Sequence, residues 1–368
     1  MERKKCVLCD KGTLESHFSF PTFCSTYVPT NMPSSTDTTV DLEWKRCESC
    51  GSIQLATLVN PETLYASNHN NTFNSATWNK HHTEFCDFIA YEIPSNQSIL
   101  EIGGASYCLL RRMFEKGYLN YSILDMAEPS PDLQKEFPSI SYSKGNCEEF
   151  IFPDVNTIVM SHVFEHLYNP RKFLECLQKS TIQSIFISVP NLEALYTSGC
   201  KSILHIEHTY SYSEEDIEAL FLEFSFGCVT KQWFGNHSLF YHFTKSTPSR
   251  LPYSNSDVLL NHFQERKALI EAITVELPCF IAPAGHFGHI LYYHLSNASK
   301  KNILGFLDND TTKQGHRMPG TPCTIFSPKT LEKYKDTTIQ IMLFGGVYND
   351  EIKRQFLVYT KQIEFIEL

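Results

Sequence analysis

The sequence predicts an α/β protein built on a doubly wound parallel sheet, with a cysteine-rich segment before it and a second α/β unit after it. Three observations carry this expectation. Ser98-Ile99-Leu100-Glu101-Ile102-Gly103-Gly104-Ala105-Ser106 is a short apolar run closed by small residues, followed by Leu109 to Phe114 at helical spacing. Asn120-Tyr121-Ser122-Ile123-Leu124-Asp125 repeats the pattern of a strand that ends in an acid. Near the C-terminus, Phe280-Ile281-Ala282-Pro283-Ala284-Gly285-His286-Phe287-Gly288-His289 is again strand, turn and helix start, leading to Ile303-Leu304-Gly305-Phe306-Leu307-Asp308.

The 368 residues suggest two or three domains, and the composition, 42% hydrophobic and 20% charged, is ordinary for globular proteins. A net charge of −10 disfavours a general electrostatic grip on nucleic acid. No apolar run approaches the roughly 20 residues of a membrane helix, and Met1-Glu2-Arg3-Lys4-Lys5-Cys6 is followed by no apolar stretch of a secretory signal. The expectation is a cytoplasmic protein with no membrane partner. Thirteen cysteines, an odd number, argue against a disulfide framework in a chain of this size.

Taken in order, the chain opens with two C-x-x-C pairs, Cys6/Cys9 and Cys47/Cys50, each able to turn both thiolates toward one tetrahedral ion. Their separation exceeds the usual ribbon interval, so an inserted loop carrying Cys24 is expected. Four thiolates fill the shell of a zinc ion, which assigns it folding and no catalysis. After Asn60-Pro61, the polar stretch Ser67 to Asn74 reads as a lid or a surface loop. From Thr77 the pattern is helical, with Trp78, His82, Phe85 and Ile89 on one stripe, and Trp78 is assigned to packing against the next domain.

At the organising strand, adjacent glycines open backbone angles closed to other residues and let a ligand approach the main chain. The three spaced glycines of a dinucleotide site are absent, which argues against a nicotinamide. Glu101 to Ser106 instead resembles the first motif of class I S-adenosylmethionine (SAM) methyltransferases, with Ser106 at the third glycine. Asp125, with Glu128 as the alternative, is placed to accept from ribose hydroxyls, and Asn146 to meet an adenine amine. Val155 to Met160 is a third strand, running into Ser161-His162-Val163-Phe164-Glu165-His166-Leu167, which is expected to open a helix through Phe173 and Leu177. His162 and His166 have the H-x-x-x-H spacing, but no Glu follows the first His, as a zincin helix requires. After a fourth strand, Ser184 to Val189, His205-Ile206-Glu207-His208 precedes a helix announced by Ser213-Glu214-Glu215-Asp216. Two histidines flanking a carboxylate in a loop favour function over core, whereas His237 in a closing strand is assigned to the core.

The order of these motifs, from the knuckles through S-H-V-F-E-H to E-H-T-Y-S-Y-S, resembles the sugar C-methyltransferase family across essentially the whole chain. The resemblance implies a zinc-binding segment over 1–62, a SAM-binding class I methyltransferase domain with a Rossmann-like sheet over 63–247, and a second Rossmann-like domain over 248–368. It implies methyl transfer to a carbon beside the ketone of a nucleotide-linked deoxysugar. The cofactor would lie against Glu101, Gly103, Gly104, Asp125, Asn146 and His162. A C–H beside a carbonyl needs a base to take its proton and a donor to hold the enolate oxygen. His208, with Glu207 fixing its tautomer, is the first choice for the base, His162 the second, and His205, in the place of a family tyrosine, a donor. O- or N-methylation of another small molecule, and a non-catalytic nucleotide-sugar or RNA-binding module, are the competing readings.

Overall fold

The computed structural model describes residues 2–25, 28–64, 76–104, 106–128, 131–197, 206–254, 257–344 and 349–367. Ser67 to Asn74 and His205, both singled out above, lie outside the described residues. The chain divides into two compact units, one of Met1–His17, Trp44–Ala194 and Glu207–Ser256, the other of Phe18–Glu43, Leu195–Ile206 and Asp257–Leu368. Strands β1 (Leu14–Cys24), β2 (Thr39–Cys47) and β3 (Ile53–Leu55) form a three-stranded sheet in that order.

The first unit is built on a seven-stranded sheet. Its strands are β4 (Ile99–Ile102), β5 (Tyr121–Asp125), β6 (Ser141–Lys144), β7 (Thr157–Ser161), β8 (Ser184–Pro190), β9 (Phe226–Phe234) and β10 (Ser238–Lys245), in spatial order β6-β5-β4-β7-β8-β10-β9. The first five pair in parallel, and β10 closes the sheet antiparallel to both β8 and β9. Every residue of β4 and β8 is buried, as expected of parallel strands covered on both faces. Helix Cys108–Glu115 buries Leu109, Leu110 and Met113 against Phe85, Cys86 and Ile89 of helix Ala76–Glu92 in one apolar core with Ile99, Ile123 and Val159. The strand order reverses at β4, between β5 and β7, which is where an open α/β sheet leaves a crevice at its carboxyl edge.

The helix expected to open at Ser161-His162-Val163-Phe164-Glu165-His166-Leu167 and run through Phe173 and Leu177 is interrupted. Phe164–His166 make one 3₁₀ turn, and the helix proper is Pro170–Gln178, capped by the Asn169 side chain on the Lys172 N–H. Pro170 keeps Asn169 out of the helical region (φ −140°, ψ 81°), so helical spacing in the sequence ran across a boundary that proline imposes. The Ser213 capping box is formed as expected, with Asp216 reciprocating, at the start of helix Glu214–Glu223.

The second unit holds a five-stranded, wholly parallel sheet of β11 (Cys279–Ala282), β12 (Ile303–Leu307), β13 (Ile325–Phe326), β14 (Ile339–Leu343) and β15 (Ile363–Glu367), ordered β13-β12-β11-β14-β15. Phe18–Glu43, from the segment between the cysteine pairs, belongs to this unit: Thr30 bridges Arg317, whose guanidinium is bidentate to Asp37 at 2.7 and 2.8 Å. Among the described residues no helix is long and apolar enough to cross a membrane.

Candidate functional site

At the carboxyl edge of the seven-stranded sheet, β4 and β5 end in register, Ile102 beside Leu124, with the Gly103 N–H donating to the Leu124 carbonyl at 2.9 Å. Gly103 is exposed and has φ +80°, a conformation glycine adopts without strain. A Cβ there would meet Val163 Cγ2 at 2.3 Å. Gly104 is buried, and a Cβ on it would strike the Glu101 carboxyl carbon at 2.7 Å, so this glycine makes room for Glu101 where the sequence suggested room for a ligand. Burial pushes the Glu101 carboxyl up to about 8, against the Tyr121 O–H that donates to it at 2.9 Å. Asp125 ends β5 half-buried, its Oδ1 accepting from the Ala127 N–H at 2.8 Å. Asn146, also half-buried, accepts from the Glu148 N–H at 3.0 Å. Glu128, the alternative to Asp125, is exposed beside Lys144. Exposed backbone at Gly103 with acceptor side chains at the ends of neighbouring strands has the chemistry to hold a nucleoside's hydroxyls.

The end of β7 carries the imidazoles. His162 sits at φ 53°, a left-handed conformation rare outside glycine and frequent at functional sites. Its Nε2 meets Ser238 Oγ at 2.8 Å, and its Nδ1 lies 3.2 Å from Glu165 Oε1. Trp78, His81 and His237 surround it, with ring centroids at 4.8, 5.1 and 5.6 Å. Trp78 therefore lines the histidine cluster, and half-buried His237 belongs to the same cluster through its 2.6 Å contact with Ser238, which corrects its assignment to the core. Burial holds His162 well below the usual histidine range, helped by the neighbouring imidazoles of His237 and His166. It also pushes Glu165 up to about 7, against the opposing pull of His166.

A second group lies beside the first. The His166 and His208 rings are 5.0 Å apart; His166 Nε2 lies 3.9 Å from Glu165 Oε1, and its Nδ1 4.0 Å from Glu207 Oε2. Glu207 is buried and His208 half-buried. Sequence reasoning paired Glu207 with His208 and missed Glu165 and His166 as their partners, because the two segments meet only in three dimensions. Hydrogen bonds to the backbone carbonyls of the turn bring them together. The Thr209 N–H donates to the Glu165 carbonyl at 3.2 Å, Tyr210 O–H to the Phe164 carbonyl at 2.6 Å, and Thr209 Oγ1 to the Leu167 carbonyl at 2.7 Å.

The cysteine segment clamps this loop. Leu55 N–H donates to the Thr209 carbonyl at 2.9 Å and Ser211 N–H to the Ile53 carbonyl at 2.8 Å, so the loop pairs with β3. Buried Arg3 donates to the carbonyls of Leu55 (3.2 Å), Tyr168 (2.8 Å) and Thr209, and to Thr209 Oγ1 (2.7 Å). The Cys6, Cys9, Cys47 and Cys50 sulfurs are buried within 4.8 Å of one another, with Cys6 to Cys50 at 3.5 Å and Cys9 to Cys47 at 3.6 Å. A tetrahedron of Zn–S bonds near 2.3 Å has edges of about 3.8 Å, so the set is compatible with one zinc ion. The Gln54 amide donates to Cys6 Sγ at 3.2 Å, a contact that steadies a thiolate.

No protein-family model and no curated protein matches this chain. Solved structures do. A protein from Pyrococcus horikoshii is 12% identical over 51% of this chain and 100% of its own, with a TM-score of 0.41. Magnesium protoporphyrin IX methyltransferase from Synechocystis with bound SAH is 12% identical over 49% of this chain and 89% of its own, TM-score 0.39. A Burkholderia thailandensis 1,6-didemethyltoxoflavin-N1-methyltransferase is 13% identical over 60% of this chain and 99% of its own, TM-score 0.39.

Proposed function

We propose that this chain is a SAM-dependent methyltransferase whose acceptor is a carbon beside the ketone of a nucleotide-linked deoxysugar. The observation that carries the reading is the juxtaposition at one sheet edge. The exposed Gly103 backbone and Asp125 lie at the switch point, and the next strand, β7, delivers His162, Glu165 and His166 to meet Glu207 and His208. The order of motifs along the sequence supports the sugar acceptor.

SAM supplies a methyl group activated on a sulfonium. The chain's part is to orient and to move a proton: Asp125 accepts from the ribose, Asn146 meets the adenine, and Glu101 supports the turn from beneath Gly104. An imidazole of the cluster, His208 or His162, takes the acidic C–H proton, and Glu207 orients the ring. The four cysteines hold a structural zinc ion that fixes β3 and, through it, the Glu207-His208 loop.

The test measures SAM binding by calorimetry, and deuterium exchange at the ketosugar carbon without SAM. His208→Ala should lower exchange and turnover together by ~10²- to 10⁴-fold while SAM binding survives. Full exchange in both His208→Ala and His162→Ala would refute the enolate chemistry. Loss of SAM binding in the parent protein would refute the methyltransferase itself.

A further inference from the structure

We propose that Glu165, His166 and His208 form a second metal site, which takes a divalent first-row ion and leaves positions open for two adjacent oxygens of the acceptor. One ligand atom from each of the three lies within 4.8 Å of the others. Ligands at 2.0–2.2 Å on one tetrahedral ion stand about 3.3–3.6 Å apart, so side-chain shifts of about an ångström close the site.

Glu165 provides the independent sign that something is bound. Its side chain is 1% exposed, and among the described residues the near donors its carboxylate faces are only its own backbone N–H and His162 Nδ1 at 3.2 Å, neither in good hydrogen-bond geometry. A buried carboxylate so poorly supplied with donors is costly unless a cation answers it. His166 is arranged as a ligand with its own support: Nε2 faces Glu165, and Nδ1 faces the buried carboxylate of Glu207, the carboxylate–histidine–metal order that orients an imidazole on an ion. This set differs from the H-x-x-x-H pair weighed in the sequence, since it joins the 3₁₀ turn Phe164–His166 to the loop that β3 and Arg3 hold in place.

Two imidazoles and one carboxylate suit zinc, manganese or ferrous iron, and three protein ligands leave a shell incomplete, as a reactive site requires. Such an ion would polarise a ketone oxygen and the hydroxyl beside it. That substrate assignment rests on the ketosugar reading above, whereas the ion site does not. An imidazole on the ion cannot also accept a proton, so His162 takes that role in place of His208.

The experiment titrates Mn²⁺ alone into the zinc-loaded full chain, with neither SAM nor acceptor, and follows free Mn²⁺ by electron paramagnetic resonance. Manganese is chosen because thiolates prefer softer ions, which keeps it off the cysteines. One Mn²⁺ per chain is expected, bound ~tenfold or more weakly in Glu165→Gln and His208→Gln, and less weakened in Glu207→Gln. Zinc content and thermal unfolding measured on the same samples keep a misfolded variant from counting as lost binding. Absence of Mn²⁺ binding by the folded parent, or equal binding by folded Glu165→Gln, overturns the site. Manganese binding by a chain that methylates no ketosugar would leave the site standing and sink the acceptor assignment alone.

Discussion

The four-cysteine knuckle and the Glu165–His166–His208 cluster lie in the same unit and gather ligand-type side chains to similar spacings, yet they are built in opposite ways. The cysteines come in two pairs three residues apart, so each half-site forms locally, and four sulfurs would complete the tetrahedral shell of one ion. The histidines and carboxylates come from a 3₁₀ turn and a loop some forty residues on, joined by hydrogen bonds to the turn's backbone carbonyls, and three ligands would leave space on an ion. Closure by soft ligands marks a group that holds the fold; an incomplete set beside a sheet's switch point marks one that can meet a substrate. The first also supports the second, because β3 and Arg3 connect the knuckle to the Glu207-His208 loop.

The largest expected effect breaks that connection at the knuckle. Cys47→Ala should abolish stoichiometric zinc and lower the thermal transition by about 10 °C or more, since structural zinc contributes folding free energy directly. Metal analysis alongside calorimetry decides the matter, and an unchanged zinc content would mean that the sulfurs are not ligands.

A smaller effect is expected at Arg3, which touches both sides of the connection. Arg3→Met removes five donated bonds and leaves the buried carbonyls of Leu55 and Thr209 with fewer donors, at about 2–4 kcal/mol. Manganese affinity at the Glu165 cluster should fall with it while zinc content stays whole. Full affinity in Arg3→Met would show that the loop holds its shape without the clamp.

The smallest effect concerns Glu101, at the end of β4 and in neither ligand set. Its folded carboxyl titrates near 8, against about 4.5 when exposed. Between those values the native state keeps a proton that the unfolded chain has lost, so stability falls as pH rises through the window and levels off above it. Glu101→Gln should flatten that slope and leave the variant more stable than the parent at pH 9, by roughly 1–3 kcal/mol. Denaturant unfolding at pH 5, 7 and 9 measures it; parallel curves for the two proteins would show that the proton is not there.

The central turn was legible because its signals are local. An apolar run, two glycines and a helical repeat within seventeen residues leave few conformations, and β4 with helix Cys108–Glu115 forms where they indicate. The Ser213 capping box was legible for the same reason. Trp78 and His237 were assigned to packing and core because each stands in an apolar pattern, and that pattern does not say which face of a helix or which end of a strand looks into a crevice. Gly104 shows the converse: glycine signals a close approach, and only the fold shows that Glu101 makes it.

By itself, then, the sequence determined the parts whose residues lie within a few positions of one another: the strand–turn–helix units, the paired cysteines, the helix caps. The tertiary structure decided which parts share a site. The turn Phe164–His166 ends at extended Leu167, and Thr209 and Tyr210 donate to the carbonyls that the turn exposes, which sets Glu165 and His166 against Glu207 and His208. The physical reason is that those bonds are accepted by backbone carbonyls, which every residue possesses, so the residue pattern around Phe164 to Leu167 does not announce that a loop some forty residues on will donate to them.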